Sequence, residues 1–368
     1  MRADYLELLE SMVNIDSCSG NVEGIAQLSS LIGQRLKKLG FSFGPVKAKD
    51  GSIHYHARRG LGKKVLLLAH LDTVFPNGTA AARKFRIEGE LAFGPGVSDC
   101  KSGVATIIGA LETLSQGRWP DLEINALFNS DEEVSSPGSR QIIEDLAKDA
   151  AAVLVVEPAE LENITVARKG IGRFELKVSG KAAHSGSNYT HGCNAILEMA
   201  HKIIAIQGLS RIENGITLNV GTVSGGIRPN VVPELAMVEI DLRIVKPDQA
   251  EPVINGLKRI AADCKDQGTS GRLTGGITRP PMPLNDANYQ LYQSIRDVGL
   301  KLGMKLGAVE SGGGSDANFT GALGIPTIDG LGPIGGGHHS EAEYMNVPSL
   351  GRRINLLASF LRILPDIL

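Results

Sequence analysis

The first half of the chain alternates between short continuous apolar runs and segments in which apolar residues recur at helical spacing. The run Lys64–Ala69 (KVLLLA) is typical of a strand that is buried on both faces. Strands and helices that alternate in this way predict an α/β fold, with a mainly parallel sheet and helices on both of its faces. The predicted elements are helices at 21–39, 103–114 and 140–147 and strands at 64–69, 122–128 and 152–156.

The pattern changes near residue 168. Gly172–Gly180 (GRFELKVSG) alternates apolar and polar residues, as a half-exposed strand does. The order that follows is β-α-β-β-α-β, which predicts a self-contained α+β domain of four strands and two helices. We therefore predict a domain at 168–279 inserted into a larger domain formed by 1–167 and 280–368, with a linker at Thr278–Pro283 (TRPPMP) and a last helix at Val347–Leu364. The remaining elements of the insert are predicted as helices at 194–206 and 249–264 and as strands at 216–224, 234–245 and 271–277.

Composition excludes several classes of protein. The 368 residues carry a formal net charge of −2 and a single Trp, so the chain has neither the basic field nor the aromatic platform of a nucleic-acid-binding protein. No apolar run approaches the length that spans a bilayer, and the first fifteen residues have the pattern of an amphipathic helix and not of a signal peptide. Four cysteines without CxxC spacing are typical of reduced thiols. These features predict a cytoplasmic protein without nucleic-acid or membrane partners.

Polar side chains gather where the predicted buried strands end. In a parallel sheet the carboxyl ends of the strands share one edge, where ligands bind. Taken singly, Asp99 could cap a helix and Glu132 and Glu133 could be solvated loop charges. Together, two histidines and several carboxylates at one edge predict a metal site, most simply for zinc. The residues are His70, Asp72, Asp99, Glu132, Glu133, Glu157 and His339.

Six motifs, in order along the whole chain, resemble those of the zinc-dependent exopeptidase family. That family includes glutamate carboxypeptidase, succinyl-diaminopimelate desuccinylase, acetylornithine deacetylase and the aminoacylases. The segments FNSDEE, SGGGSDAN and HSEAEY are most similar to bacterial glutamate carboxypeptidases. The six motifs are HLDTV, GPGVSDCKSG, NSDEEVSSPGSR, VVEPA, KAAHSG and HHSEAEY.

The resemblance implies a role for each residue at the sheet edge. Two Zn²⁺ ions are expected, with Co²⁺ or Mn²⁺ as possible substitutes. His70 and Glu157 would bind one ion, Glu133 and His339 the other, and Asp99 both. Asp72 would orient His70, and Glu132 would be the general base that activates a metal-bridging water. Cys100, beside Asp99, is expected to be a buried neutral thiol, with a stray metal ligand or an oxidation-sensitive thiol as the alternatives.

The resemblance also implies that the inserted domain is a lid and the interface of a homodimer. His184 would stabilise the oxyanion, and Asn230 and Arg243 would hold the terminal carboxylate of the substrate. Gly313, Gly314 and Ser315 would line the substrate site, where glycine permits close approach of the backbone. The alternatives are a helix- or loop-capping role for His184 and a solvated strand position for Arg243.

These expectations combine into a di-zinc hydrolase that cleaves an amide bond next to a free carboxylate. A small peptide or N-acyl-amino acid is the expected substrate, and release of C-terminal glutamate is the preferred activity. The alternatives are an N-acyl-amino-acid deacylase of the deacetylase, desuccinylase or aminoacylase type and, more distantly, a non-catalytic metal-binding protein. The presence of Glu132 beside a full ligand set favours an enzyme, because binding alone requires no general base.

Overall fold

The computed structural model describes residues 3–368 and divides the chain into two compact units. Unit 1 comprises Met1–Ala167, Leu284–Ser311 and Ser315–Leu368, and unit 2 comprises Arg168–Pro283 and Gly312–Gly314. Among the described residues, no helix combines the length and the apolar character that a membrane span requires.

The secondary structure alternates along unit 1 and is mainly antiparallel strands in unit 2. The helices are α1 Ala3–Val13, α2 Val22–Lys38, α3 Thr79–Ala82, α4 Lys101–Ser115, α5 Ser139–Ala147, α6 Ala195–Gln207, α7 Ala250–Ala262, α8 Asp286–Lys301, α9 Ala317–Ala322 and α10 Val347–Ile367. The strands are β1 Ser42–Lys47, β2 Ile53–Arg59, β3 Lys63–His70, β4 Arg86–Glu88, β5 Leu91–Phe93, β6 Leu122–Asn129, β7 Ala152–Val155, β8 Asn163–Arg168, β9 Gly170–Ser179, β10 Ala183–His184, β11 Thr217–Gly225, β12 Val231–Val232, β13 Leu235–Ile244, β14 Ser270–Arg279, β15 Gly307–Ser311, β16 Thr327–Ile328, β17 Gly335–Gly336 and β18 Tyr344–Asn346.

The main sheet of unit 1 has the order β1-β2-β6-β3-β7-β16. Strand β3 pairs in parallel with β6 and β7, and β16 pairs in parallel with β7. Helices α1 and α10 pack with α4, while α5 packs with α9. The predicted α/β class is confirmed, and the antiparallel hairpin β1–β2 at the sheet edge adds to it. The hairpin escaped prediction because Gly44 and Pro45 interrupt the strand pattern of β1.

The register of the parallel strands brings their carboxyl ends together. His70, the last residue of β3, lies opposite Asn129, the last residue of β6. Leu68 pairs with Val155 at the end of β7, two residues before Glu157. Residues in β3 and β7 are buried on both sides, which explains the continuous apolar runs that predicted them.

Unit 2 contains an antiparallel sheet in the order β11-β13-β9-β14. Alternate residues of β9, such as Phe174, Leu176 and Val178, are buried in a core that also includes Met199 of α6 and Leu257 of α7. The predicted β-α-β-β-α-β order holds for the four long strands and both helices. Helix α7 ends at Ala262, two residues before the predicted end, because Asp263 adopts an extended conformation.

Candidate metal centre

Five side chains that could bind a metal converge at the carboxyl edge of the unit 1 sheet. His70 ends β3, Glu157 follows β7, and Glu133 lies in a 3₁₀ turn, Glu132–Val134, after β6. Asp99 lies in the loop before α4, with a cis peptide bond to Cys100, and His339 lies in the loop between β17 and β18. Each comes from a different segment of the chain, and only the folded sheet assembles them.

The carboxylate of Asp99 lies between the two histidines. Its Oδ1 is 2.9 Å from Nε2 of His70, and its Oδ2 is 3.4 Å from Nε2 of His339. Oε1 of Glu157 is 3.7 Å from Nε2 of His70, and Oε2 of Glu133 is 3.2 Å from Nε2 of His339. The donors therefore form two groups that share Asp99.

This donor set fits the metal ions that the sequence predicts. Imidazole nitrogen and carboxylate oxygen are ligands that zinc accepts, at bond lengths of about 2.0–2.2 Å. Two ligands of one tetrahedral zinc then lie about 3.3–3.6 Å apart, close to most of the separations between the histidines and the carboxylates. His70, Asp99 and Glu133 also offer ligand atoms that all lie within 4.8 Å of one another.

The ionisation of these groups reflects burial and mutual attraction. Burial raises the pKa of Glu157 to about 7, against the attraction of His70. Burial also opposes the charged form of Asp99, but hydrogen bonds from His339 and His70 hold its pKa well below the usual range. Hydrogen bonds to Asp99 and Glu133 raise the pKa of His339 to about 10. The acids and histidines thus stabilise each other's charged forms at a site where a cation is expected.

Asp72 holds the loop that carries the two glutamates. Its Oδ1 accepts from the main-chain N–H of Glu132 (3.1 Å), and its Oδ2 accepts from that of Glu133 (3.2 Å) and from the Ser19 hydroxyl (2.6 Å). Nδ1 of His70 lies nearer to the main-chain oxygen of Asp72 (2.9 Å) than to its carboxylate (3.5 Å). Asp72 therefore orients His70 mainly through its carbonyl, while its carboxylate positions Glu132 and Glu133.

Cys100 lies close to the five candidate metal ligands, but its thiol forms a hydrogen bond with the main chain and not with any of their side chains. The thiol is fully buried and donates to the main-chain oxygen of Val156 (3.3 Å). Its sulfur and ligand atoms of His70 and Glu157 all lie within 4.8 Å of one another, so the three residues could also bind one metal ion. Burial raises the pKa of the thiol well above its ordinary value, which favours the neutral form.

The predicted substrate-binding residues of unit 2 lie at its surface. The ring of His184 is exposed, and its Nδ1 accepts from the main-chain N–H groups of Gly186 (3.1 Å) and Ser187 (3.2 Å). The neutral ring therefore carries its proton on Nε2, which is left as a donor. Asn230 is exposed, and its main-chain oxygen accepts from the N–H of Ser185.

Arg243 is already engaged within unit 2. Its Nε and Nη2 donate to the two carboxylate oxygens of Asp241 (2.7 and 3.1 Å), and its Nη1 donates to the main-chain oxygen of Gly312 (3.3 Å). Arg173 contacts the same Asp241 carboxylate. A substrate carboxylate at Arg243 would therefore have to share the guanidinium with Asp241.

The three predicted residues of the glycine-rich loop differ in exposure. Gly313 is exposed and Gly314 is partly exposed, whereas Ser315 in unit 1 is buried. The Ser315 hydroxyl donates to the carboxylate of the buried Asp329 (2.5 Å). The Ser315 hydroxyl is therefore engaged with Asp329, and this hydrogen bond helps to hold the loop that carries Ser315.

Sequence reasoning assigned no role to several buried residues that support the site. The carboxylate of Asp131 accepts from the N–H groups of Gly138 and Ser139, and that of Asp316 accepts from Asn129 and Ser136. His54 accepts a bond from the N–H of Ser130. Most of the supporting acids lie inside motifs that were recognised, but only the fold shows which main-chain groups they bind.

Comparison with known proteins identifies the family. The model of Peptidase family M20/M25/M40 matches residues 66–363. Carboxypeptidase G2 of Pseudomonas sp. (strain RS-16) is 31% identical over 363 residues, which cover 96% of this chain and 87% of that protein. The chain therefore belongs to the M20/M25/M40 peptidases, a family of metal-dependent hydrolytic enzymes, as its motifs predicted.

Solved structures confirm the fold. A tripeptidase from Staphylococcus aureus superposes with a TM-score of 0.86 at 21% identity, covering 98% of each chain. An M20 family metallo-carboxypeptidase from Sulfolobus solfataricus superposes with a TM-score of 0.79 at 19% identity, covering 99% of this chain and all of that one.

Proposed function

We propose that this peptidase is a carboxypeptidase that hydrolyses the amide bond next to a free carboxylate and releases C-terminal glutamate or a similar amino acid. The observation that carries the proposal is the convergence of His70, Asp99, Glu133, Glu157 and His339, with a second glutamate, Glu132, in the same 3₁₀ turn as Glu133. The 31% identity to a protein named carboxypeptidase G2 supports this choice among the activities of the family.

Two zinc ions would be held by the two donor groups. His70 and Glu157 would bind one, Glu133 and His339 the other, and Asp99 would contribute one oxygen to each. The orientation of the two Asp99 oxygens toward different histidines supports this assignment. Two such ions supply Lewis-acid polarisation of the scissile carbonyl and make the attacking water more acidic.

Glu132 would move the protons. Its neighbour Glu133 is turned toward His339, while the N–H of Glu132 is fixed on Asp72 in a tight 3₁₀ turn. Glu133 would remain a ligand while Glu132 exchanges protons, a division that requires the two carboxylates to have different environments. Glu132 would take a proton from the attacking water and then deliver it to the nitrogen of the leaving amino acid.

Substrate recognition would involve unit 2 acting as a lid. The Nε2–H of His184 would donate to the developing oxyanion, and the two main-chain bonds to its Nδ1 support this choice of donor. Arg243 and Asn230 would bind the terminal carboxylate, with Gly313, Gly314 and Ser315 bordering the site. The planar guanidinium suits this task because it can bind a carboxylate through two donors.

Unit 2 would also form a homodimer. Strand β11 is an edge of its sheet, and Val223 on that strand is 67% exposed. Helix α6 exposes Ile196, Leu197 and Ile204, of which Ile204 is 73% exposed. An apolar helix and an unpaired edge strand favour association with a second copy.

Light scattering of the unsubstituted protein should give the mass of a dimer, and Ile204→Lys should weaken the association of the two copies. A mass equal to that of the monomer for the unsubstituted protein would contradict the proposed homodimer.

A panel that varies the two sides of the amide independently tests the activity. N-acetyl and N-benzoyl derivatives of glutamate and alanine are compared on zinc-loaded and chelator-stripped protein. We expect zinc-dependent cleavage whose rate follows the amino acid, with glutamate preferred at least about tenfold for a recognised side chain. Rates that follow the acyl group would instead identify a deacylase, and two bound ions without hydrolysis would contradict both.

A further inference from the structure

The two acids of the HSEAEY segment lie in different environments. Glu341 is exposed, whereas Glu343 is only 2% exposed. A carboxylate is costly to bury unless hydrogen bonds replace the water that it loses. The partners of Glu343 therefore show what this acid does.

All three hydrogen bonds to the Glu343 carboxylate come from the loop that carries Asp99. Its Oε2 accepts from the main-chain N–H of Gly96 (3.0 Å). Its Oε1 accepts from the N–H of Ser98 (2.9 Å) and from that of Asp99 itself (3.0 Å). One side chain thus fixes the backbone of the residue that lies between the two histidines.

The other end of Glu343 is joined to the His339 loop. The N–H of Glu343 donates to the main-chain oxygen of Ser340 (3.3 Å), and both the N–H and the hydroxyl of Ser340 donate to that of Gly337 (3.2 and 2.7 Å). These bonds make a compact turn around His339. Directly after Glu343, Tyr344 pairs with Phe93 at the end of β5, the strand that leads into the Asp99 loop.

We infer that Glu343 is a positioning residue of the metal centre, which holds the Asp99 loop and the His339 loop at the separation that metal binding requires. The inference rests on the metal-binding part of the proposed function and is independent of the substrate. Glutamine has nearly the same size but only one acceptor oxygen. Its amide NH₂ group would face a main-chain N–H, and two donors cannot form a hydrogen bond with each other. Glu343→Gln should therefore loosen the centre without removing a ligand.

The test measures Co²⁺ and Zn²⁺ binding to chelator-stripped protein, by visible absorption and competition with a chelator. For Glu343→Gln we expect a Kd raised about 10–100-fold for at least one ion, the usual effect of removing support from a metal ligand. The matched control Glu341→Gln, on the same loop but exposed, should bind as the unsubstituted protein does. A lower melting temperature of metal-free Glu343→Gln with unchanged Kd values for both ions would overturn the inference.

Two further measurements apply if Glu343→Gln does not fold. Glu343→Asp retains the charge but is too short to reach all three N–H groups, and it should weaken metal binding in the same direction. In the unsubstituted, metal-free protein, the amides of Gly96, Ser98 and Asp99 should exchange hydrogen slowly; exchange at the rate of an open loop would overturn the inference. Metal binding without hydrolysis in the substrate panel would contradict the proposed function alone.

Discussion

The candidate site residues of unit 1 and unit 2 differ in how firmly the fold holds them. In unit 1, His70, Asp72 and Glu157 are buried, and Asp72 fixes the backbone of the two glutamates after β6. In unit 2, His184 and Asn230 are exposed, and the guanidinium of Arg243 is engaged by Asp241. Buried hydrogen bonds within unit 1 thus support residues that are proposed for hydrolysis, whereas His184, Asn230 and Arg243, which are proposed for substrate recognition, lie at the surface of unit 2.

This contrast separates two kinds of effect. The residues of unit 1 that buried hydrogen bonds already hold in place should determine the metal content and the rate of the chemical step. These groups need no reorganisation when the reaction occurs. The surface residues of unit 2 should act when substrate binds, and their substitution should leave the metal content unchanged. Substitutions in the two units test that separation.

Substitution of the adjacent glutamates should divide catalysis from metal binding. Glu132→Gln should lower kcat by about 10²–10⁴-fold while both ions stay bound, because it removes only the proton carrier. Glu133→Gln should instead lose the ion that is shared with His339. Metal analysis and steady-state kinetics on the same preparations check both results. Loss of metal from Glu132→Gln would contradict the division.

His184→Ala should lower kcat by about 10²–10³-fold, the usual cost of losing one oxyanion donor, without changing the metal content. His184→Gln, which retains an N–H donor, should recover part of the rate. His191→Ala provides an exposed histidine of the same unit as a control. If His184→Gln were as slow as His184→Ala, the histidine would act through the turn that its Nδ1 caps and not as a donor.

Arg243→Lys should reduce kcat/KM by about tenfold for substrates with a free terminal carboxylate, mainly through KM, because lysine cannot form the paired hydrogen bonds. The α-amide of the same substrate serves as the comparison. Wild-type enzyme should prefer the free acid, and the variant should lose that preference. An unchanged preference would indicate that Arg243 serves only its partners Asp241 and Gly312.

The smallest effect concerns the support of the glutamate loop and its dependence on pH. His54 is fully buried, accepts from the N–H of Ser130 at Nδ1 and contacts the Ser52 hydroxyl through Nε2. Burial lowers its pKa despite the nearby carboxylates of Asp50, Asp72, Asp131 and Asp316. The unfolded chain, with a histidine pKa of about 6.5, therefore takes up protons that the folded state excludes, and stability should fall as the pH drops below that value.

Thermal unfolding of metal-free protein at pH 7.5 and 5.5 measures this dependence. His54→Gln should melt at a lower temperature than wild type at pH 7.5. Its melting temperature should also fall less than that of wild type between pH 7.5 and pH 5.5. The partly exposed His201 offers His201→Gln as the control. Equal pH dependence in wild type and His54→Gln would show that other groups carry the acid sensitivity.

The sequence predicted most of what short-range patterns and motifs can express. Continuous apolar runs located β3 and β7, and the motifs at the strand ends named the residues that the sheet brings together. The antiparallel hairpin β1–β2 was missed because Gly44 and Pro45 hide its pattern. The support from Glu343 was missed for another reason. Its partners are main-chain N–H groups more than 240 positions away in the chain, and main-chain groups carry no sequence signal.

We propose that one edge of the unit 1 sheet holds a two-ion hydrolytic centre. Its most direct test is a titration of chelator-stripped protein with Zn²⁺, in which bound metal and hydrolysis of an N-acyl-glutamate are measured in the same sample. We expect binding to saturate at two ions per chain and hydrolysis to depend on them. Saturation at one ion with full activity, or hydrolysis that persists without metal, would contradict it.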